Sequence, residues 1–191
     1  DVNLRAEEIP ADLLRDTRIV HFGSVSLTAE PARSATLYAA KTARENGCLV
    51  SYDPNYRASL WHSQEEAVAQ MKAALPLCDI LKISDEELEF LTGTADIDTA
   101  LPTLFVGNVQ LVLYTCGSAG AHAYTRSAHG CAPCQPVRAV DTTGAGDGFI
   151  GSFLWQLHAA GADRAALAGL TAARLDKWLA FSNKFCGISV Q

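Results

Sequence analysis

The sequence predicts an α/β fold, a mostly parallel sheet flanked by helices. Short apolar runs alternate along the chain with stretches of helical periodicity, as is typical of βαβ units. The 191 residues are 49% hydrophobic and 19% charged, which suffices for one domain with a substantial core. We therefore expect a single α/β domain over residues 1–191.

Each element follows from a local pattern. A proline at position 31 suits the first turn of a helix, Gly47 suits its end, and Ser63 with Glu66 has the spacing of a capping box. Apolar runs predict strands at 18–23, 48–53, 79–83, 110–115, 121–125 and 136–140. Helices are expected at 31–46, from 63 onward, at 84–91, at 97–106, and twice within 145–181 with a break near Gly161.

Charge and cysteine usage exclude several classes of protein. Lys and Arg number 15 and Asp and Glu number 21, for a net charge of −6 without any basic run, which argues against a nucleic-acid or anionic-membrane surface. No apolar run approaches the roughly 20 residues of a membrane span, and no signal peptide is visible. Most of the six cysteines lie in apolar segments, so we expect reduced thiols in a cytoplasmic protein. Cys131 and Cys134 form an isolated CxxC, which we place in a loop and which is weak evidence for zinc.

Small or polar residues follow five of the predicted strands. In parallel sheets, ligands bind outside the carboxyl ends of the strands, so these residues are the candidates for a binding site. They are Gly23 and Ser24, then Asp53, Asn55 and Arg57, then Ser84 and Glu87, then Thr115 and Gly117, and finally segment 141–147.

Segment 141–147, DTTGAGD, has the strongest chemical signature. Glycines at the start of a helix let backbone N–H groups approach an anion, and the helix dipole adds to the attraction. Asp147 then falls in the first turn, where it could take a proton from a hydroxyl that attacks a bound phosphate. The alternative is that Asp147 only complements the helix dipole.

Two other phosphate-binding patterns are excluded. Residues 146–151 match GxGxxG, but the following segment reads as another helix, so the strand–helix–strand unit of a dinucleotide site is broken. No GxxxxGK[ST] motif is present, so the chain is not a P-loop protein.

Four segments together resemble the ribokinase-like (PfkB) carbohydrate kinases, over nearly the whole chain from about residue 19 to 190. Segment 141–147, followed by Gly148 and Phe149, is similar to the C-terminal signature of that family. Segments 52–57 (YDPNYR), 21–27 (HFGSVSL) and 82–88 (KISDEEL) are similar to its fructokinase and 2-keto-3-deoxygluconate kinase branch. The resemblance implies a three-layer ribokinase-like fold.

The resemblance also implies roles for individual residues. Asp147 is the expected base toward the sugar hydroxyl, and Arg57 is expected near the transferred phosphate or the substrate. An anion hole is expected at Gly144, Ala145 and Gly146. A nucleotide site is expected at Thr115, Gly117 and Gly120, with Asn183 near the adenine. Asp141 and Thr143 are expected to hold a monovalent cation, K⁺. A plainer alternative is that Asp141 and Thr143 only cap the turn.

The segment near magnesium departs from the family pattern. The family often has Asn-x-x-Glu, and here Ser84 stands in place of the Asn while Glu87 is retained. We expect both residues to contribute to the Mg²⁺-nucleotide site, with Glu87 acting through water. Ser-x-x-Glu is also a capping box, which leaves a purely structural interpretation open.

A second departure concerns the N-terminal part of the family, which supplies a sugar-binding segment, further strands and a β lid. Nothing before Ile19 matches it, so we expect the nucleotide-binding portion of a sugar kinase, inactive or nearly so as an isolated chain. The expected reaction is ATP-dependent phosphorylation of a small sugar, as in a fructokinase. A 2-keto-3-deoxygluconate kinase and a non-catalytic nucleotide-binding fragment remain alternative functions. For the assembly, we expect either a homodimer or complementation by a second polypeptide through an open sheet edge.

Overall fold

The computed structural model describes residues 2–191, which divide into two compact units. The first unit ends at Gln110 and the second comprises Leu111–Gln191. Each unit has its own strands, helices and buried residues. The α/β class predicted from the alternation of elements is confirmed.

The first unit contains three parallel strands and five α-helices. Strand β1 (Ile19–Gly23) pairs in parallel with β2 (Leu49–Asp53), and β2 pairs in parallel with β3 (Ile80–Ser84). Every residue of β2 is buried, as expected for a strand covered on both faces. The helices are α1 (Ala11–Asp16), α2 (Ala32–Glu45), α3 (Gln64–Ala74), α4 (Asp85–Thr92) and α5 (Ile97–Leu104).

The ends of these helices follow the signals in the sequence. The Ser63 hydroxyl accepts the Glu66 N–H at 3.1 Å and so caps α3. Helix α4 ends at Gly93, whose φ of 77° is left-handed and favours glycine. Alanines of α2 that face the core are fully or almost fully buried, including Ala35 and Ala43.

The second unit contains three antiparallel strands and three helices. Strands β4 (Leu111–Thr115), β5 (Ala121–Tyr124) and β6 (His129–Ala132) pair in chain order as two successive hairpins. Connections this short cannot return a strand in parallel, so both hairpins are antiparallel. The helices are α6 (Ala145–Ala159), α7 (Arg164–Ala168) and α8 (Ala172–Ser189).

Three details of the second unit correct the sequence prediction. Residues 136–140 form no strand, and the strand lies instead at β6, so Cys131 is in a strand and only Cys134 is in the following loop. The segment after Gly161 forms two helices, since Asp163 caps α7 and Thr171 caps α8. None of the helices formed by residues 2–191 combines the length and hydropathy that crossing a bilayer requires.

Candidate functional site

The turn at 141–144 prepares the start of α6. An oxygen of Asp141 accepts the Thr143 N–H at 2.8 Å, and hydrogen bonding by Thr143 lowers the pKa of this carboxyl. Gly144 caps the helix with a left-handed φ of 77°, a conformation that glycine adopts without strain. The turn-capping role of Asp141 is therefore present in the structure.

The first turn of α6 contains the proposed anion hole. The Gly148 N–H donates to the Gly144 carbonyl at 2.8 Å and begins the helical bonding, whereas the Ala145 N–H donates to the Thr142 carbonyl at 3.1 Å. The N–H groups of Gly146 and Asp147 lie in the turn where a helix offers no acceptor of its own. These two N–H groups are thus the donors best placed for an anion.

Asp147 is exposed in the first turn of α6, as the sequence predicts. It borders a groove of about 460 Å³ whose other walls include Trp155, Phe181 and Phe185. The rings of Trp155 and Phe181 stack with centroids 5.6 Å apart. A carboxylate at the rim of an apolar groove beside free helix N–H groups is suited to deprotonate a hydroxyl next to a phosphate.

The hairpin turn between β4 and β5 contains the three residues assigned to the nucleotide. Thr115 is the last residue of β4, and Gly117 is exposed with a φ of 52°. Gly120 is buried with a φ of 112°, and a Cβ there would lie 2.3 Å from the Ala132 carbonyl oxygen. Gly120 is therefore required for the close approach of β5 and the end of β6, independently of any ligand.

Asn183 joins α8 to the end of β6. Its amide nitrogen donates to the carbonyls of Ala132 at 2.8 Å and Pro133 at 3.4 Å, which leaves its own oxygen as a possible acceptor. The buried Asn183 side chain lines a cavity of about 440 Å³ together with Cys134 and Lys184. The cavity offers apolar walls, the side-chain amides of Asn183 and Gln135, and one cation.

In the first unit, Ser84 and Glu87 form the complete capping box of α4. The Ser84 hydroxyl accepts the Glu87 N–H at 3.2 Å, and a Glu87 oxygen accepts the Ser84 N–H at 2.9 Å. The other Glu87 oxygen accepts the Tyr56 N–H at 2.9 Å. The capping box suggested by the sequence is thus present, and Glu87 also anchors the loop after β2.

Arg57 lies at the exposed end of that loop. Its guanidinium donates to the Tyr56 carbonyl at 3.0 Å, and the Tyr56 ring stacks on Phe90 with centroids 4.0 Å apart. Most of the guanidinium donors of Arg57 therefore face solvent on a loop that is itself firmly held.

Sequence reasoning missed one feature of the first unit, the buried ion pair between Asp53 and Lys82. The Lys82 ammonium lies 3.0 Å and 3.2 Å from the two carboxylate oxygens of Asp53. Burial raises the pKa of Asp53 to about 6, although the ammonium of Lys82 opposes that shift. The available signal was a lysine within the otherwise apolar run of β3.

Carboxyl ends of the parallel strands do meet, as predicted. The Ser24 N–H, just after β1, donates to the Pro54 carbonyl after β2 at 3.1 Å, and Glu87, just after β3, holds Tyr56. Segment 141–147 of the second unit follows an extended loop rather than the predicted strand.

Within residues 2–191, no three His, Cys, Asp or Glu side chains are grouped so that they could hold a metal ion. All six cysteines are described, and none of them forms a disulfide.

The first unit is a parallel α/β unit with polar residues at its strand ends. In the second unit, a glycine turn followed by an acidic residue opens a long helix. Both features are typical of proteins that bind phosphate groups. A family model described as "pfkB family carbohydrate kinase" matches residues 2–191, and the chain belongs to that family. It is 47% identical to the probable fructokinase-2 of Arabidopsis thaliana over 82% of this chain and 48% of that protein. The chain thus spans about half the length of the curated relatives it matches.

Solved structures agree with the family assignment. Fructokinase from Xylella fastidiosa with bound ATP has a TM-score of 0.92 at 31% identity, covering 100% of this chain and 60% of that one. A double mutant of fructokinase from Vibrio cholerae O395, in its fructose-, ADP- and potassium-bound form, has a TM-score of 0.87 at 30% identity, covering 100% of this chain and 59% of that one. The ribokinase-like fold implied by the sequence is confirmed.

Proposed function

We propose that the protein containing this chain is an ATP-dependent fructokinase. The observation that carries the proposal is the Asp147 carboxylate in the first turn of α6, where the N–H groups of Gly146 and Asp147 have no helical acceptor, within a family of carbohydrate kinases. Support for fructose comes from the relative named a probable fructokinase and from the fructokinase structures that match the whole chain.

The proposed step is an in-line transfer of the γ-phosphoryl group. The Asp147 carboxylate accepts the proton of a fructose hydroxyl while its oxygen attacks the γ-phosphorus, and the bond to the bridging oxygen breaks to release ADP. The positive end of α6 and the N–H groups of Gly146 and Asp147 stabilise the charge on the phosphoryl oxygens. For Arg57, in the first unit, the proposed role is the one that the family resemblance implies, near the transferred phosphate or the substrate.

The nucleotide base is proposed to occupy the cavity beside Asn183. That cavity has the apolar walls a purine needs, and the Asn183 oxygen can accept a hydrogen bond. The turn formed by Thr115, Gly117 and Gly120 would bind the rest of the nucleotide through its backbone.

The residues present fit the two expected cations to different degrees. Asp141 and Thr143 supply oxygens suited to K⁺, and a potassium-bound relative is known. Both Glu87 oxygens already accept backbone N–H groups, so Glu87 fits Mg²⁺ only through water, with Ser84 beside it. Mg²⁺, when bound, neutralises the phosphates of ATP.

Two further predictions belong to this proposal. The protein acts in the cytoplasm on a small sugar, which is consistent with its free thiols and net charge of −6. A homodimer, or completion by a second polypeptide, stays a prediction about its assembly.

A coupled assay of ADP formation tests the proposal. The protein containing this chain is supplied with Mg·ATP and, separately, with fructose, ribose or 2-keto-3-deoxygluconate. We expect the highest kcat/KM for fructose. A higher kcat/KM for 2-keto-3-deoxygluconate than for fructose would make that sugar acid the substrate. Binding of ATP without turnover of any sugar would identify a non-catalytic nucleotide-binding protein.

A further inference from the structure

We propose that Asp53, paired with Lys82, is a positioning residue that sets the place of Arg57 for phosphoryl transfer. The inference rests on the proposed function, because Arg57 acts on the phosphate or substrate only in that reaction. Asp53 itself is buried at the end of β2, and we assign it no contact with either reactant.

The first step is the contact between Asp53 and the turn that follows it. One Asp53 oxygen accepts the Asn55 N–H at 3.1 Å. Asn55 has a φ of 45°, the only left-handed φ at a non-glycine residue among residues 2–191. A turn in this conformation is unfavourable for most residues, so the carboxylate bond stabilises a backbone that would otherwise relax.

The second step is the pairing with Lys82 on the neighbouring strand. Asp53 and Lys82 are both buried, with 2% and 6% of their surface exposed, and the ammonium contacts both carboxylate oxygens. A buried carboxylate without a partner is costly, so Lys82 is what allows a charged acceptor to stand at this position. The pair also fixes the orientation of the carboxylate toward Asn55.

The third step leads from the turn to Arg57. The next N–H along the chain, that of Tyr56, is held by Glu87 at 2.9 Å. Two buried carboxylates therefore hold consecutive N–H groups, and the backbone of Arg57 follows directly from them. The exposed guanidinium is presented from a loop with little freedom, as the placement of a charged group for phosphoryl transfer requires.

Two double variants isolate this role, since they differ only in the acceptor offered to Asn55. Asp53→Leu/Lys82→Met removes both charges and the acceptor, whereas Asp53→Asn/Lys82→Met removes both charges and keeps an acceptor oxygen of similar size. We expect the Leu variant to lose at least about tenfold in kcat with a nearly unchanged KM for ATP, and the Asn variant to recover most of the loss. Amide exchange at residues 55–57 should be faster in the Leu variant and near wild type in the Asn variant.

The matched control is a second ion pair of the same unit, in which Asp79 is buried and Arg44 is partly exposed. Asp79 contacts Arg44 and accepts the Val50 N–H at 2.9 Å, but it precedes β3 and does not reach the loop. Asp79→Leu/Arg44→Met should change stability while leaving kcat and the exchange at 55–57 as in wild type.

The outcomes separate the two proposals. A wild-type protein without fructose-dependent turnover contradicts the proposed function, and amide exchange then decides the positioning role alone. An active wild type with an unchanged kcat in the Leu variant overturns the positioning role, as does unchanged exchange at 55–57. If the Leu variant does not fold, Asp53→Ala/Lys82→Met takes its place, because it removes the same acceptor without adding volume.

Discussion

Glu87 accepts the backbone N–H of Tyr56 at 2.9 Å, a contact between residues 31 positions apart. The same carboxylate accepts the Ser84 N–H, so one side chain both caps α4 and holds the loop after β2. A residue that family resemblance places near a metal is, in this chain, first an anchor for the loop that presents Arg57.

Replacing Glu87 by Gln tests this anchoring. The amide keeps the size of the side chain, but its NH₂ group cannot accept, so either the Tyr56 or the Ser84 N–H loses its partner. We expect the free energy of unfolding in urea to fall by about 1–3 kcal/mol. Glu86→Gln, at an exposed position of the same helical turn, should change it by less than about 0.5 kcal/mol. Equal effects of the two variants would contradict the anchoring role.

The buried Asp53 predicts a pH dependence of stability. Burial raises its pKa from 3.8 to about 6, so the folded protein binds this proton more tightly than the unfolded chain does. The contribution of Asp53 to the free energy of unfolding is therefore complete below about pH 4 and is lost as the pH rises through about 6. The loss amounts to about 3 kcal/mol, at 1.36 kcal/mol per pKa unit. Urea unfolding at pH 4, 5, 6 and 7 should show this loss in wild type relative to Asp53→Asn/Lys82→Met. If the free energy of unfolding of the two proteins changes with pH in the same way, the predicted contribution of Asp53 is wrong.

Gly120 and Gly151 form a contrasting pair for stability. A Cβ at Gly120 would lie 2.3 Å from the Ala132 carbonyl oxygen at a φ of 112°, so Gly120→Ala should cost more than about 2 kcal/mol. Gly151 lies within α6 with nothing within 4 Å of its added Cβ, so Gly151→Ala should stabilise by about 0.5–1 kcal/mol. Thermal or urea unfolding of both variants measures these changes. A Gly120→Ala variant as stable as wild type would contradict the close approach of β5 to the end of β6.

The turn at Asp141 predicts activation by K⁺. A cation held by Asp141 and Thr143 would order the turn that opens α6, so turnover should rise severalfold when K⁺ replaces Na⁺. Asp141→Ala should lose this response, while Asp98→Ala, at an exposed acid of the first unit, should keep it. A flat response of the wild-type protein to K⁺ would leave Asp141 with the turn-capping role alone.

Much of the fold could be predicted because local signals and burial agree. The caps at Ser63 and Ser84 lie where the sequence places them, and the apolar runs of β1–β5 coincide with strands. Strand β6 could not be predicted, since its sequence, HGCA, has little strand propensity and depends on pairing with β5. The break between α7 and α8 depends on the cap at Thr171, inside an Ala- and Leu-rich run that favours a continuous helix.

The candidate site was predicted where a motif is contiguous. Asp147 and the Gly144 turn are adjacent in the chain, so their spacing alone places them at the start of α6. The pairs Asp53–Lys82 and Glu87–Tyr56 join residues about thirty positions apart, and only the register of the parallel strands brings them together. Apart from the lysine within the apolar run of β3, no local pattern identifies these partners.

The most direct test of the central claim is the kcat of Asp147→Asn in the fructose-dependent reaction. This change keeps the shape of the side chain and removes the proton acceptor. We expect kcat to fall by about 10²–10⁴-fold, with the Kd for ATP unchanged or lower because a negative charge near the phosphates is gone. Asp98→Asn, at an exposed acid in the first turn of α5, should leave kcat as in wild type. A folded Asp147→Asn protein with near-normal kcat would contradict the account and leave Asp147 only its interaction with the helix dipole.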